Sequence, residues 1–456
     1  MLEQIPPNSI EHLYGPEEVP YAEDELVLVC LLRDGRPYLK SFMEHYTSMG
    51  VKHLFFLDNE STDGTVEALK GYDNTTVFRT GLPFKRYELS MRQYLVERFC
   101  QKGRWCLYAD IEELFDYPYS DVVSLSSLLR YLNERSYTAV VAQMLDMFPE
   151  EPLSGSASSP DEPLKERHRF YDISNIQTKG IKEHGRNNIY ESDDIEYFLG
   201  GIRSTLFGTK AYLTRFALMF SDGRVKPFAG SGHRVDNARV ADLTCVYLHY
   251  KFLDEHFHKK VASAVREENY PYNSSQYKKY LEVLEKNPGL LVKGEGAREL
   301  RSVNDLVENH FLVVSEEYMM LVYDEERKRR SGDAPRRGEL GEIEDENSYK
   351  AKAQAKAQSL RTRRLERRLE ELREQNQRLE QQLREQNQRL RLKQELREKN
   401  WRRVEKLSRR LARTKKRTKK KNQNLARQLR SMRASRSWRL LNKLGSLRAR
   451  VLGRIR

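Results

Sequence analysis

Residues 105–114, WCLYADIEEL, join an apolar run to three acidic side chains. An uninterrupted apolar run is typical of a strand that is buried on both faces of a parallel sheet. Asp110, Glu112 and Glu113 follow at its carboxyl end, where ligands bind in open α/β sheets. Asp110 and Glu112 are two positions apart and would share a face, so their oxygens could hold Mg²⁺ or Mn²⁺ with phosphate oxygens completing the shell. The alternative is a solvated acidic turn that binds nothing.

Strand and helix patterns alternate on both sides of this stretch. We predict strands at 25–32, 51–57, 75–79 and 137–142, and helices at 37–49, 65–69, 89–102 and 122–135. This alternation predicts an α/β fold with a doubly wound, mostly parallel sheet.

The charge of the chain is divided unevenly along its length. The net charge is +14, but residues 351–456 hold 37 Lys or Arg and 9 Asp or Glu, which leaves residues 1–350 acidic. A strongly basic segment favours a polyanionic partner such as an anionic membrane surface or nucleic acid. We consider nucleic acid less favoured than a membrane surface, and the alternative is a solvated basic face that binds neither.

The cysteines and the N-terminus both favour a cytoplasmic protein. Cys30, Cys100, Cys106 and Cys245 show no paired spacing, so we expect buried free thiols and a reducing compartment. The first residues lack the features of a signal peptide, and no apolar stretch has the length of a membrane span. We therefore expect a cytoplasmic protein that could lie against the inner face of the cell membrane.

Leucines at alternating spacings of four and three begin at Leu365. They are Leu365, Leu369, Leu372, Leu379, Leu383 and Leu390, with Asn376 in the gap between Leu372 and Leu379. This pattern predicts a coiled coil, and a single Asn at an a position favours a parallel homodimer in fixed register. The alternative is a lone solvated helix. Beyond the basic run at 413–421, apolar residues could line one face of an amphipathic helix, with Trp438 beside it, that contacts anionic lipid headgroups.

A second polar turn follows the strand at 51–57. The sequence DNESTDG at 58–64 places Asp58, Asn59, Ser61 and Asp63 where they could bind the base and ribose of a nucleotide. Carboxylates for the nucleoside at one strand end and for the diphosphate at another are what a nucleotide-sugar site requires.

With these motifs, residues 25–255 resemble a bacterial family 2-type glycosyltransferase of the GT-A fold. The motifs that carry the resemblance are EHYTSMG at 44–50, DNESTD at 58–63, DIEEL at 110–114, GGIR at 200–203, GSGHR at 230–234 and LHYKF at 248–252. The family's metal motif is Asp-x-Asp-Glu-Phe, so this chain carries Glu112 for the second Asp. SRSWRL at 435–440 similarly resembles a segment that ends the coiled coils of many bacterial surface-polysaccharide enzymes.

The resemblance implies transfer of a sugar from a nucleotide sugar to a hydroxyl of a glycan or lipid-linked acceptor, with inversion. It implies a Mn²⁺ or Mg²⁺ ion on Asp110, Glu112 and His249, donor contacts from Arg203 and Lys251, and a general base at Asp193 or Asp194. The pathway it implies is surface-polysaccharide or envelope glycan synthesis.

Six segments follow from these patterns. They are an irregular segment (1–23), a nucleotide-sugar half (24–150) and an acceptor half (151–325) of a GT-A domain, a charged linker (326–358), a coiled coil (359–421) and a basic amphipathic tail (422–456). One alternative is an inactive scaffold that acts through its coiled coil and tail. Another is a nucleotidyltransferase, which the short loop LRDGRP at 32–37 disfavours because it lacks a glycine-rich triphosphate grip.

Overall fold

The structure consists of two units that are described separately. It is a computed structural model that describes residues 3–153, 163–183, 185–268, 270–332, 346–437, 439–440 and 442–444. The first unit is Met1–Arg364, and the second is Leu365–Arg456.

Strands and helices alternate in the first part of the chain. In order they are β1 (Glu11–Tyr14), β2 (Leu26–Leu32), α1 (Arg36–Met49), β3 (His53–Asp58), α2 (Thr65–Leu69), β4 (Thr75–Arg79), α3 (Phe84–Phe99), β5 (Trp105–Tyr108), β6 (Glu113–Asp116), α4 (Leu125–Glu134) and β7 (Ala139–Asp146). The eight strands and helices predicted from sequence for this part are all present, with shifts of a few residues at their ends. Helix α1 shows why, because Pro37 occupies its first turn and Gly50 ends it at a φ of 93°.

The later part of the chain has shorter elements and two long strands. In order they are α5 (Leu164–Arg167), β8 (Phe170–Tyr171), β9 (Ile176–Gly180), a 3₁₀ helix (Ile181–Glu183), β10 (Ile189–Tyr190), β11 (Glu196–Gly200), α6 (Gly201–Phe207), β12 (Thr214–Phe220), β13 (Lys226–Pro227), β14 (Val235–Asp236), β15 (Arg239–His249), α7 (Asp254–Glu267), α8 (Pro271–Lys286), β16 (Arg298–Glu299), α9 (Asn304–Glu308), α10 (Glu316–Gly332) and α11 (Glu346–Ala434).

One ten-stranded sheet organises the first unit. Its order is β1-β4-β3-β2-β5-β12-β7-β15-β10, and β6 pairs with β15. Strands β4, β3, β2, β5, β7, β15 and β10 run in one direction, whereas β1, β12 and β6 run in the other. The carboxyl ends of β2, β3, β5, β7 and β15 therefore meet at one edge, where α/β sheets bind ligands.

The sheet is covered on both faces. Leu28 and Cys30 of β2 pack in one apolar cluster with residues of α1, whereas Val27 and Val29 pack in another cluster with residues of α3. Alternation of this kind follows from the two-residue period of a strand. The predicted α/β class with a mostly parallel sheet and a long C-terminal helix is confirmed. Both predicted halves contribute strands to this one sheet, because β10, β12 and β15 of the half at 151–325 join the strands of the half at 24–150. Strands β8, β9, β11, β13, β14 and β16 form three separate two-stranded sheets.

The predicted linker and coiled coil are divided differently in the structure. Residues 326–332 belong to α10, residues 346–358 belong to α11, and the residues between them lie outside the described ranges. The start of α11 packs within the first unit, because Ala353 and Leu360 are buried there. The second unit therefore begins six residues after the predicted start of the coiled coil.

The prediction of four free thiols is wrong for one pair. Cys100 directly follows α3 and Cys106 lies in β5, and the short loop between them leaves the two Cα atoms 5.6 Å apart in a disulfide. Cys30 and Cys245 are free and buried, as predicted.

The predicted basic tail lies only partly within the described residues. Helix α11 continues through Ala434, whereas Trp438 and residues 445–456 fall outside them. Most of the segment 150–162 also falls outside the described residues. None of the helices within the described ranges combines the length and apolar character that a bilayer span requires.

Candidate active site

Four carboxylates lie at the carboxyl-end edge of the sheet, and we call them the acid cluster. They are Asp110, Glu112, Glu113 and Asp146. The turn between β5 and β6 supplies Asp110 and Glu112, β6 begins at Glu113, and β7 ends on Asp146. Gly35 allows this turn to lie close to the loop after β2, because a Cβ at Gly35 would stand 2.9 Å from Ile111 Cγ1.

Asp110 is held by two arginines. Its Oδ2 accepts from Nη1 of Arg215 at 3.3 Å and from Nη2 of Arg92 at 3.4 Å, and its Oδ1 accepts from the Tyr108 hydroxyl at 2.8 Å. Burial alone would raise the pKa of Asp110, but the two guanidinium groups outweigh burial and lower the pKa to about 2. Glu113 is paired with Arg215 as well, and burial raises the pKa of Glu113.

Glu112 is held by a different set of cations. Its Oε2 accepts from Lys260 Nζ at 2.7 Å, and its Oε1 lies 3.5 Å from Lys251 Nζ and 3.2 Å from His249 Nε2. Burial opposes ionisation, but these partners hold the pKa of Glu112 well below its usual range. Lys251 lies two residues after the end of β15, whereas Lys260 reaches the cluster from α7.

Asp146 joins His249 to Arg203. Its Oδ1 lies 2.5 Å from His249 Nδ1, and its Oδ2 accepts from Arg203 Nε at 2.8 Å. Burial would raise the pKa of Asp146, but Arg203 and His249 together lower it to about 2. Burial also disfavours protonated His249, yet Asp146 and Glu112 raise its pKa. Arg203 can reach Asp146 because Gly200 and Gly201, both with positive φ, turn β11 sharply into α6.

Two cavities open at this edge of the sheet. The larger, of about 480 Å³, is lined by the loops after β2 and β3 and by α7, and includes Arg33, Asp63 and Lys260. The smaller, of about 190 Å³, contains Asp110, Glu112 and Glu113. Because Lys260 lines the larger cavity and bonds Glu112 in the smaller, the two cavities adjoin at this ion pair.

The predicted metal and donor residues meet in part. Asp110, Glu112, His249, Arg203 and Lys251 all line the smaller cavity. However, His249 contacts Glu112 and Asp146, whereas Asp110 is bonded to the arginines. The described part of the chain holds no group of three His, Cys, Asp or Glu side chains placed to bind a metal ion together. As arranged, these residues do not fit the predicted three-ligand Mn²⁺ or Mg²⁺ site, which stays a prediction.

Most of the predicted donor residues in the polar turn after β3 form hydrogen bonds within that turn or to neighbouring loops. Asp58 is fully buried and accepts from the Ser61 amide, and the Asn59 side chain donates to the carbonyl of Thr80. Ser61 Oγ accepts from the Asp34 amide at 2.8 Å. Of the four predicted donor residues in this turn, Asp63 is the one that lines the larger cavity.

The predicted general bases lie elsewhere. Asp193 is exposed and pairs with Lys182 at 2.5 Å, and Asp194 pairs with Arg361 of α11 at 3.4 Å. Neither is among the described residues that line the two cavities. The structure therefore does not bring them to the acid cluster.

Sequence reasoning missed several residues of the site. They are Arg92, Asp146, Arg215 and Lys260. The sequence contains a signal for two of them. Arg215 is a charged residue in the otherwise mostly apolar strand TRFALMF of β12. Asp146 is an acid at the end of the mostly apolar β7, just as Asp58 is at the end of β3. Arg92 and Lys260 lie on helices and carry no such signal.

One comparison with known proteins supports a general function in glycosyl transfer. A region of 118 residues is 23% identical to part of a glycosyltransferase family 92 protein of Arabidopsis thaliana, covering 24% of this chain and 20% of that relative. The match thus spans about a fifth of the length of the relative. It is to family 92 and not to family 2. No protein-family model matches the chain.

Proposed function

We propose that the first unit is a glycosyltransferase that moves a sugar from a nucleotide sugar to a hydroxyl of a glycan or lipid-linked acceptor. The similarity to a family 92 glycosyltransferase supports the general class. Three finer assignments are proposals drawn from sequence motifs alone. They are that the enzyme is of family 2 with the GT-A fold, that it inverts the anomeric carbon, and that it acts in envelope or surface-polysaccharide synthesis.

The observation that carries the proposal is the pair of adjoining charged cavities at the strand ends. Among the residues that the structure describes, five Lys or Arg and three Asp or Glu side chains line each cavity. An excess of positive charge suits a diphosphate, and a larger and a smaller chamber suit the nucleoside and the sugar. In this arrangement the nucleoside lies beside Asp63 and the diphosphate lies near Lys260 and Lys251.

The chemistry follows from this placement. The bond between the anomeric carbon and the diphosphate oxygen breaks, and its electron pair stays on that oxygen. The acceptor oxygen bonds to the anomeric carbon, and its proton passes to a base, for which Asp193 and Asp194 stay predictions. Cations fixed beside the leaving oxygen stabilise the charge that develops there.

A thermal-shift screen of nucleotide sugars, with and without Mn²⁺, tests the proposal. We expect one donor to raise the melting temperature of the full chain and to be hydrolysed slowly, because a ligand that binds only the folded state stabilises it. Lys251→Met should abolish the shift, whereas Lys286→Met, an exposed control on α8, should keep it. If no donor shifts the melting temperature or is hydrolysed, the scaffold alternative replaces this proposal.

We further propose that α11 forms a parallel homodimer. The leucines of the predicted seam, from Leu365 to Leu390, are 43–61% exposed, which leaves an apolar stripe without cover in the single chain. Sedimentation should show a dimer that Leu379→Ala weakens and Gln381→Ala, on the opposite side of the helix, does not. A monomeric wild-type chain would contradict it.

We propose that the basic amphipathic tail at 422–456, together with the basic run at 413–421, contacts anionic membranes. Because the start of α11 packs within the first unit, a truncation that tests this should remove residues after Arg364 and not after Lys350. The shortened chain should no longer sediment with anionic vesicles, and retained binding would contradict the proposal.

A further inference from the structure

Every carboxylate of the acid cluster already has a cation of the protein as its partner. The pairs are Asp110 with Arg92 and Arg215, Glu113 with Arg215, Glu112 with Lys251 and Lys260, and Asp146 with Arg203. A divalent cation bound to Glu112 would have to displace Lys260 and lie among several fixed positive charges. Coulomb repulsion at these distances opposes that arrangement.

We propose that sugar transfer at this site needs no divalent cation, and that the ammonium groups of Lys251 and Lys260 stabilise the leaving diphosphate instead. This inference rests on the proposed glycosyltransferase function and specifies how that site neutralises its donor. It replaces the Mn²⁺ or Mg²⁺ expected from the motif, whose three predicted ligands do not converge.

Lys260 is placed to contact both parts of a nucleotide sugar. It lines the larger cavity, and its Nζ lies 2.7 Å from Glu112 Oε2 in the smaller one. Its side chain is 24% exposed, so a ligand can reach it, whereas Lys251 is 9% exposed on the opposite side of Glu112. Glu112 thus holds two ammonium groups at the junction of the cavities, where the diphosphate would lie.

An ammonium group can do part of the work of a metal ion in this reaction. When the bond from the anomeric carbon to the diphosphate oxygen breaks, that oxygen gains the electron pair, and a neighbouring N–H can donate to it. The acceptor oxygen forms the new bond and gives its proton to a base. The 2.7 Å contact with the Glu112 carboxylate holds the ammonium group of Lys260 at this position.

The charge balance of the cavities agrees with this role. Among the described residues, ten Lys or Arg and six Asp or Glu line the two cavities together. This excess of four positive charges is larger than the two negative charges that a nucleotide sugar carries on its diphosphate. A resident divalent cation is therefore not needed to make the site attractive to this ligand.

Calorimetric titration of the full chain with UDP, GDP, ADP and TDP, in excess EDTA and in Mn²⁺, tests the inference. We expect one of them to bind with dissociation constants that agree within about threefold in the two buffers. Lys260→Met should weaken binding by about tenfold or more in both, and Lys260→Arg, which keeps the charge, by less than about threefold. The exposed control Lys286→Met should bind as the wild type does, and melting curves show whether each variant is folded.

The outcomes separate the two proposals. Binding, or hydrolysis of the donor found in the thermal-shift screen, that requires Mn²⁺ and is lost in EDTA would overturn the metal-free inference and leave the glycosyltransferase proposal standing. Binding in EDTA that a folded Lys260→Met variant retains in full would also overturn the role of Lys260. Absence of binding and hydrolysis in both buffers would instead remove the glycosyltransferase proposal.

Discussion

The acid cluster and the second-unit part of α11 use the same charged residue types in opposite ways. In the acid cluster, Glu113 and Asp146 are almost completely buried and each bonds a cation from a distant part of the chain. In α11, Glu374 and Arg378 form a pair one helical turn apart, with exposed fractions of 62% and 77%. One set of charges is therefore fixed by the fold, and the other is solvated along a helix.

This difference has an energetic consequence. A buried ion pair costs desolvation of both groups, so removing one partner leaves an uncompensated charge at a high free-energy cost. An exposed pair loses little when it is broken, because water solvates each group almost as well. Substitutions that remove a single charge should therefore separate the two regions by several kcal/mol.

The largest effect is expected for Arg215→Met. This change removes the guanidinium that bonds both Asp110 and Glu113, and it leaves Glu113 without its cation inside the sheet. We expect the free energy of unfolding to fall by about 3–5 kcal/mol, measured by urea denaturation.

The double variant Arg215→Met with Glu113→Gln is the matched control. It also removes the Glu113 carboxylate that the single variant leaves without a cation. The free energy of unfolding should therefore be about 1 kcal/mol or more higher than in the single variant. A single-variant loss below about 1 kcal/mol would mean that Glu113 does not depend on Arg215 for its burial.

The same contrast explains what the sequence could predict. Periodicity located β2, β3, β4 and α1 and the part of α11 from 359 to 421, because a strand or helix records its buried face locally. It did not locate the start of α11, since residues 346–358 were predicted as a charged linker. The acids at 110–113 and the turn at 58–64 were found for a similar reason, since each directly follows an apolar strand.

The partners of those acids could not be predicted in the same way. Arg92 lies on α3, Arg215 on an antiparallel strand inserted between β5 and β7, and Lys260 on α7, so sequence distance hides their convergence. The metal ligands were inferred from a motif that contains no information about these Arg and Lys side chains. The family resemblance implies Asp193 or Asp194 as the base, and it contains no information about their contacts with Lys182 and Arg361.

A second, smaller effect concerns acid pH and Asp146. Its pKa is about 2 in the folded chain against an ordinary value of 3.8, because Arg203 and His249 favour the carboxylate. A carboxylate whose pKa is lower in the folded chain than in the unfolded chain stabilises the fold at any pH above its unfolded-state pKa. This stabilisation is lost as the pH falls towards the folded-state pKa. The contribution is about 2 kcal/mol, and it should disappear progressively from about pH 5 downwards.

Urea denaturation of the wild type and Asp146→Asn across this pH range measures the contribution. The difference in unfolding free energy should narrow as pH falls, because the wild type loses the carboxylate that the variant lacks. Asp73→Asn, at an exposed position, should leave the wild-type slope unchanged. A constant difference between wild type and Asp146→Asn would contradict the lowered pKa.

The smallest effect is expected for Glu374→Gln in the second unit. Glu374 Oε2 lies 3.5 Å from Arg378 Nη2, both groups are largely solvated, and position 374 lies on the side of α11 opposite the leucine seam. The change should alter unfolding of the helix, followed by far-ultraviolet circular dichroism, by at most about 0.5 kcal/mol, and salt should reduce even that. Because the seam is unaffected, the dimer should persist in sedimentation. A loss above about 1 kcal/mol would show that Glu374 has a buried partner in the assembled protein, and the contrast with the acid cluster would then fail.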